Sequence, residues 1–187
     1  PHAVYFSKRI NEATADGEGI PAHEGLVDSL DYEVELAFII GKDARNVPPD
    51  EVRNYLFGYT ILNDVSARNV QNRHNQWYFG KSLDGFSPMG PCVLTVDSVE
   101  YPPCLGIRSY VNGELRQDSN TKKLIFGIDH IVSELSAGMT LKAGTIISTG
   151  TPSGVGMGFD PPRFLKIGDE VICEVEAIGR IRNVIIK

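Results

Sequence analysis

The sequence has little cysteine and no long apolar run. Its three cysteines, Cys92, Cys104 and Cys173, include no C-x-x-C pair, which argues against a disulfide framework or a structural zinc site. They are predicted to be small core residues or a free thiol. No apolar run approaches the roughly 20 residues that span a bilayer, and no charged-then-apolar leader opens the sequence. These absences predict a cytoplasmic protein without a membrane span.

The sequence also has fewer basic than acidic residues. With 18 Lys and Arg against 24 Asp and Glu, the net charge of -6 argues against nucleic acid or an anionic membrane as the main partner. A hydrophobic content of 42% in 187 residues predicts a single globular domain over residues 1–187. Because the sequence opens with PHAVYF and no initiator Met, we expect that an upstream segment is missing.

Most periodic stretches of the sequence predict strands. Residues 32–40 are dense in apolar and β-branched side chains and end at Gly41, which favours a buried strand. A second strand is predicted over residues 59–62. Asn112-Gly113 lies between two alternating runs, a pattern typical of a two-residue hairpin turn. LKAGTII and LKIGDEVI each place a Lys-x-Gly turn before a strand, and the last 17 residues predict a closing hairpin.

Two stretches predict helices. PPDEVRNYLFG, residues 48–58, begins with prolines and acids and ends at a glycine, which indicates a short helix. Ile128, Ile131, Val132 and Leu135 recur at helical spacing before Gly138, which predicts a longer helix over residues 127–137. Together these elements predict an α+β domain dominated by strands.

Glu33 and Glu35, in DYEVELAFIIG, are the first candidate functional residues. Alternate residues of a strand face the same way, so both carboxylates project from one face. Asp64, just after the next predicted strand, is the natural third ligand of an Mg²⁺, Mn²⁺ or Ca²⁺ site. Alternatively, Asp64 caps a short helix through SARNVQ, and the two glutamates line a solvated sheet face.

Two further stretches are candidates for ligand binding. TGTPSGVGMGF, residues 149–159, has four glycines that allow backbone N–H groups to approach an anion, or else it is a surface loop. Residues 68–91 form a polar and aromatic stretch that predicts a long functional loop. Within it, Lys81 is expected to hold a carboxylate or an enolate oxygen. The alternative is a surface lysine or a partner of Asp84.

Five ordered blocks resemble the C-terminal catalytic domain of the fumarylacetoacetate hydrolase family. The blocks are DYEVELAFIIGK, NDVSARNVQ, GKSLDGFSPMGP, the NGELRQ hairpin and TGTPSGVG. The resemblance implies a mixed, rolled β-sheet fold with two or three short helices, a homodimer and a bound Mg²⁺. It implies Glu33, Glu35 and Asp64 as metal ligands. It implies as substrate-binding residues Arg68, Gln71, Lys81 and Thr151, with Lys81 also catalytic.

The resemblance implies an enzyme that acts on 2-oxo acids through a metal-stabilised enolate. Hydrolysis of the C–C bond of an acylpyruvate is the first expectation. The alternatives are decarboxylation or isomerisation of 2-oxo dicarboxylates, such as oxaloacetate or the dienes of aromatic catabolism, and non-catalytic binding of a 2-oxo acid. Hydrolytic members supply a His and Glu pair from an upstream lid, and the His23-Glu24 pair of this sequence does not match it. No general base is therefore assigned.

Overall fold

Strands dominate residues 2–187, the part of the chain that the computed structural model describes. The strands are β1 (Gly19–Pro21), β2 (Leu30–Asp31), β3 (Val34–Ile40), β4 (Leu56–Asn63), β5 (Ser66–Ala67), β6 (Met89–Thr95), β7 (Gly106–Val111), β8 (Glu114–Asn120), β9 (Ile146–Ser148), β10 (Glu170–Val175) and β11 (Gly179–Ile186). The α-helices are α1 (Arg68–Arg73), α2 (Trp77–Lys81) and α3 (Ile128–Gly138). Short 3₁₀ helices cover Pro49–Tyr55, Val96–Ser98, Thr121–Lys123 and Gly156–Gly158.

The strands form three open sheets. One sheet has the order β1-β11-β10-β7-β8, a second has the order β6-β4-β3-β9, and β2 pairs with β5. The pair β1–β11 is parallel, while the other strand pairs are antiparallel. The five-stranded sheet is therefore mixed, and the predicted strand-dominated α+β fold is confirmed.

The core lies where the two large sheets face each other. Strands β3 and β4 contact β7 and β10 of the five-stranded sheet. Leu36, Phe38 and Ile40 alternate along β3 and are fully or almost fully buried. Because side chains alternate across a strand, the residues between them project to the opposite face. That opposite face of β3 carries Glu35.

The hairpin and the long helix occur where the sequence predicted them. Asn112 and Gly113 both have positive φ, 51° and 78°, as a two-residue turn with matching strand twist requires. Helix α3 buries Ile128, Ile131 and Val132. The predicted closing hairpin is the pair β10–β11.

The helix predicted over residues 48–58 is only partly correct. The segment forms a 3₁₀ helix over Pro49–Tyr55, and the chain then enters β4 at Leu56, earlier than predicted. Gly58 pairs with Ile39 of β3, and a Cβ on it would lie 2.4 Å from the Leu94 carbonyl oxygen. Sheet pairing on both sides therefore takes these residues away from the helix.

The long loop predicted over residues 68–91 is wrong in part, because the stretch contains α1, α2 and the start of β6. Of the two roles predicted for the cysteines, that of a core residue holds only for Cys173, which is buried. Cys92 and Cys104 are exposed, and all three cysteines are free thiols. None of the helices in residues 2–187 has the length and apolar character needed to cross a membrane.

Leu36 offers a test of this core. Leu36→Ala removes a side chain with 0% exposure and should lower the free energy of unfolding by about 2–5 kcal/mol, because a cavity remains. Leu115→Ala, at a side chain that is 49% exposed, should change it by no more than about 0.5 kcal/mol. Urea denaturation of both variants measures this, and equal losses would contradict the assignment of Leu36 to the core.

Candidate functional site

Three carboxylates converge at one buried point. Glu33, Glu35 and Asp64 each offer an oxygen atom, and these atoms lie within 4.8 Å of one another. The three residues are only 7%, 4% and 3% exposed. Glu35 lies in β3 and Asp64 follows the antiparallel β4, and the Asp64 N–H donates to the Glu33 carbonyl at 2.8 Å. The structure thus brings the three sequence-predicted ligands together, and their binding of a metal stays a prediction.

This arrangement contradicts the alternative roles considered for the acids. The two glutamates are buried rather than on a solvated face. Helix α1 begins after Ala67 and has no side-chain cap, so Asp64 does not cap it. At an effective dielectric constant of about 20, two charges at this separation repel by roughly 3 kcal/mol. The cluster therefore requires positive charge nearby.

Lys81 supplies positive charge at the centre of the cluster. Its Nζ donates to Glu33 Oε2 at 2.8 Å, to Asp64 Oδ2 at 2.6 Å and to Ser66 Oγ at 2.9 Å. Burial lowers the pKa of Lys81, but Asp64 and Glu33 outweigh burial and raise it above its ordinary value. Lys81 is 3% exposed and forms its ion pairs with Glu33 and Asp64, so its alternative roles as a surface lysine or as a partner of Asp84 are wrong.

A second lysine, Lys8, reaches the cluster from the other side. Its Nζ donates to Asp64 Oδ1 at 2.7 Å and to the Val65 carbonyl at 3.4 Å. Burial lowers the pKa of Lys8 and is opposed by Asp64. For Asp64 the neighbouring charges outweigh burial. Burial raises the pKa of Asp64, but Lys8 and Lys81 hold it below its ordinary value. Asp64 is thus an ionised carboxylate between two lysines.

Arg68 joins the cluster to a fourth carboxylate, Asp31. Its Nε donates to Asp31 Oδ2 at 2.9 Å, and its Nη2 forms an ion pair with Glu33 Oε1 at 2.6 Å. The backbone N–H groups of Gly156 and Met157 donate to Asp31 at 2.6 and 3.0 Å. A Cβ on Gly156 would lie 2.6 Å from Asp31 Oδ1. The anion that the glycine-rich segment approaches is therefore the protein's own Asp31.

Glu35 differs from its two neighbours because no lysine or arginine of residues 2–187 forms an ion pair with it. Its Oε2 accepts hydrogen bonds from the Ser148 hydroxyl and from the Gly150 N–H, the latter at 2.9 Å. Burial, followed by repulsion from Asp64 and Glu33, raises the pKa of Glu35 to about 8. Glu35 therefore keeps its proton near neutral pH unless further positive charge arrives.

The remaining sequence-predicted residues lie at the margin of the cluster. Gln71 Oε1 accepts from Arg68 Nη1 at 3.2 Å. Thr151 Oγ1 donates to the Val34 carbonyl at 3.0 Å and accepts from Gln117 Nε2 at 2.7 Å. Gln117 is fully buried and holds Thr151 beside β3. Substrate binding by Gln71 and Thr151 stays a prediction.

Sequence reasoning missed four residues that hold the site together: Lys8, Asp31, Gln117 and Ser148. Asp31 carried a signal, because it precedes the paired glutamates by two residues in DYEVE. Lys8 carried none. It is separated from Asp64 by 56 positions and lies in a segment without secondary structure.

The donor set suits a hard divalent cation. The three converging groups are all carboxylates, the ligands that Mg²⁺, Mn²⁺ and Ca²⁺ prefer. Burial raises the pKa of Glu35, and repulsion from Asp64 and Glu33 adds to it, so an ionised Glu35 gives the cluster an excess of negative charge. A divalent cation held by Glu33, Glu35 and Asp64 would remove this excess.

The Glu35 proton predicts a pH dependence of stability. Between about pH 5 and pH 8 the folded, chelator-treated protein keeps this proton while the unfolded chain has lost it, so unfolding becomes easier as pH rises. Glu35→Gln should therefore show a shallower loss of melting temperature over this range than the parent protein. Glu51→Gln, at an exposed position, is the control. Parallel profiles for the parent and Glu35→Gln would contradict the raised pKa.

A family model and a named relative both match nearly the whole chain. The family model described as fumarylacetoacetate (FAA) hydrolase C-terminal matches residues 1–186. The chain is 45% identical over 182 residues to oxaloacetate tautomerase YisK of Bacillus subtilis, covering 97% of this chain and 60% of that protein.

Solved structures show the same likeness. A fumarylacetoacetate hydrolase from Exiguobacterium antarcticum is 44% identical with a TM-score of 0.90, over 92% of this chain and 62% of that one. A 2-hydroxyhepta-2,4-diene-1,7-dioate isomerase from Mycobacterium marinum is 36% identical with a TM-score of 0.81, over 92% and 64%. The chain spans about three-fifths of the length of these relatives. The chain belongs to the fumarylacetoacetate hydrolase family and has the fold of that family's C-terminal domain.

Proposed function

We propose that this protein holds a divalent cation, Mg²⁺ in the first place, at Glu33, Glu35 and Asp64. With it, the protein catalyses the keto–enol isomerisation of a 2-oxo dicarboxylate of the oxaloacetate type. The observation that carries the proposal is the buried convergence of three carboxylates within 4.8 Å, compensated only in part by neighbouring cations.

The charge of the cluster supports an anionic substrate. Four carboxylates, those of Asp31, Glu33, Glu35 and Asp64, face three cations, those of Lys8, Arg68 and Lys81. A divalent cation would leave one positive charge in a buried site. Because an uncompensated buried charge is costly, such a site favours a ligand that carries at least one negative charge.

The reaction needs stabilisation of an enolate. One proton leaves the carbon next to the 2-oxo group for solvent, and one from solvent is added to the 2-oxo oxygen. The C–H electron pair becomes the new C=C bond, and the π pair of the C=O bond becomes the new O–H bond. A bound Mg²⁺ would supply a Lewis acid that polarises the 2-oxo group. Lys81 holds a positive charge beside the two carboxylates that it contacts. Negative charge that develops on the 2-oxo oxygen of a substrate at this site is therefore stabilised by a preorganised group.

The other predicted residues have roles in orientation. Arg68 is fixed by Asp31 and Glu33, and it positions Gln71 through the bond between Nη1 and Oε1. We propose that Arg68 and Gln71 contact the distal part of the substrate and that Thr151 binds its carboxylate. Because the Thr151 hydroxyl donates to the Val34 carbonyl and accepts from Gln117, the group that Thr151 offers the carboxylate is its backbone N–H.

The names of two relatives favour isomerisation over hydrolysis. The relative from Bacillus subtilis is named an oxaloacetate tautomerase, and the one from Mycobacterium marinum an isomerase of a dicarboxylate.

Hydrolysis of an acylpyruvate is the second candidate, favoured by the 44% identity to a protein named fumarylacetoacetate hydrolase. Decarboxylation of oxaloacetate and binding without turnover are two further outcomes, and assays with oxaloacetate and acetylpyruvate distinguish them. The single catalytic domain and the cytoplasmic location stay predictions.

The homodimer also stays a prediction. Phe57, Val93 and Ile146 are exposed apolar side chains on strands of the four-stranded sheet, which suits contact with a second copy. Light scattering of the purified protein tests this, and a monomeric mass at all concentrations would contradict it.

Parallel assays with oxaloacetate and acetylpyruvate identify the reaction. We expect Mg²⁺-dependent interconversion of the keto and enol forms of oxaloacetate, followed by ultraviolet absorbance, and abolition of this activity by a chelator. Acetylpyruvate cleavage without oxaloacetate isomerisation would establish hydrolysis instead, and release of CO₂ would establish decarboxylation. Absence of all three activities in a protein that binds Mg²⁺ would contradict an enzymatic role for these substrates.

Asp64→Asn tests the metal ligands. The change preserves shape but removes a charge that Lys8, Lys81 and the cation share, so activity should fall by about 100-fold or more. Asp118→Asn, at an exposed aspartate paired with Arg108, is the matched control and should retain full activity. Circular dichroism verifies the fold of both variants, and a fully active Asp64→Asn would remove Asp64 from the site.

A further inference from the structure

The segment that carries Lys8 is fixed beside the carboxylate cluster. The Arg9 N–H donates to Ser82 Oγ at 3.0 Å, directly after Lys81 in the chain. The Phe6 ring packs edge-on against Trp77 with a centroid distance of 5.1 Å. The side chain of Lys8 is 10% exposed. Lys8 is thus held in place by contacts on both sides and is not a mobile surface lysine.

The two lysines of the cluster differ in their remaining hydrogen-bonding capacity. An ammonium group has three N–H donors. Lys81 uses all three, on Glu33, Asp64 and Ser66, at distances of 2.6–2.9 Å. Lys8 has two acceptors within residues 2–187: Asp64 at 2.7 Å and the Val65 carbonyl at a long 3.4 Å.

The surroundings of Lys81 strengthen this difference. Its Nζ lies 5.3 Å from the centre of the Phe6 ring, so an aromatic face covers Lys81 in addition to its three polar partners. Lys81 can act on a substrate through its charge, but a direct hydrogen bond would require it to release a carboxylate or Ser66. A bond to a buried carboxylate is expensive to break. Lys8 can donate one more bond without breaking any.

We propose that Lys8 is a substrate-binding residue of this site, donating a hydrogen bond to an anionic oxygen of the 2-oxo acid, while Lys81 fixes the carboxylates. This inference rests on the proposed function and adds a residue that no block of the family resemblance included. It also assigns a purpose to the segment before β1, which delivers a positive charge to Asp64.

The test separates binding of the anion from binding of the cation. Mn²⁺ binding is measured by electron paramagnetic resonance, and oxalate, which resembles the chelating head of a 2-oxo acid, is titrated by calorimetry into the Mn²⁺-loaded protein. Lys8→Met should weaken oxalate binding by about tenfold or more, the usual effect of losing a charge-assisted hydrogen bond. Mn²⁺ affinity should stay equal or increase, since a cation beside Asp64 is removed.

Two further variants complete the experiment. Arg9→Met, at the neighbouring exposed residue, is the matched control and should bind both ligands as the parent does. Lys8→Gln, which keeps a donor but loses the charge, replaces Lys8→Met if the latter does not fold, and the same loss is expected.

Each alternative result has a distinct meaning. Unchanged oxalate affinity in the Lys8 variants overturns the inference and leaves the proposed function intact. Loss of Mn²⁺ binding in these variants also overturns it, because Lys8 would then only position Asp64. A parent protein that binds no Mn²⁺ overturns both the proposed function and this inference.

Discussion

Repulsion between buried carboxylates is the constraint on which the rest of this structure depends. Glu33, Glu35 and Asp64 lie with oxygen atoms within 4.8 Å in an interior where each pair that is ionised on both sides costs roughly 3 kcal/mol at an effective dielectric constant of about 20. Lys8, Lys81 and Arg68 offset part of this cost through short ion pairs. Stability alone would favour apolar residues here, so the cluster indicates a function that needs the charge.

The fold assembles this cluster from five separate parts of the chain. Strand β3 supplies Glu35, the residue after β4 is Asp64, the start of α1 supplies Arg68, the end of α2 supplies Lys81 and the segment before β1 supplies Lys8. The opposite face of β3 is apolar and packs into the core between the large sheets. The strand is therefore anchored by this apolar face while Glu35 projects from the other face, which gives the Glu35 carboxylate a rigid support.

The predictable part of the molecule was that specified by local patterns. The hairpin at Asn112 follows from a turn chemistry that few dipeptides satisfy, and α3 follows from its apolar spacing. The carboxylates were recognised because Glu33 and Glu35 share one strand face and because the order of five blocks resembled a known family. Local patterns failed where the outcome depended on partners distant in sequence.

The failures have a common physical cause. Gly58 was predicted to end a helix, but pairing with β3 and the close approach of Leu94 place it inside a strand. The glycine-rich segment approaches Asp31, 125 positions away, and Lys8 reaches Asp64 across 56 positions. Nothing in the local sequence of either segment specifies such a partner, because tertiary packing determines it.

Direct location of a bound cation tests the central claim, that these carboxylates form a metal site. Crystals of the protein soaked in Mn²⁺ should show an anomalous scattering peak at coordination distance from Glu33, Glu35 and Asp64, and a chelator should remove it. A peak elsewhere, or none at these carboxylates at a Mn²⁺ concentration that saturates the protein in solution, would contradict the account.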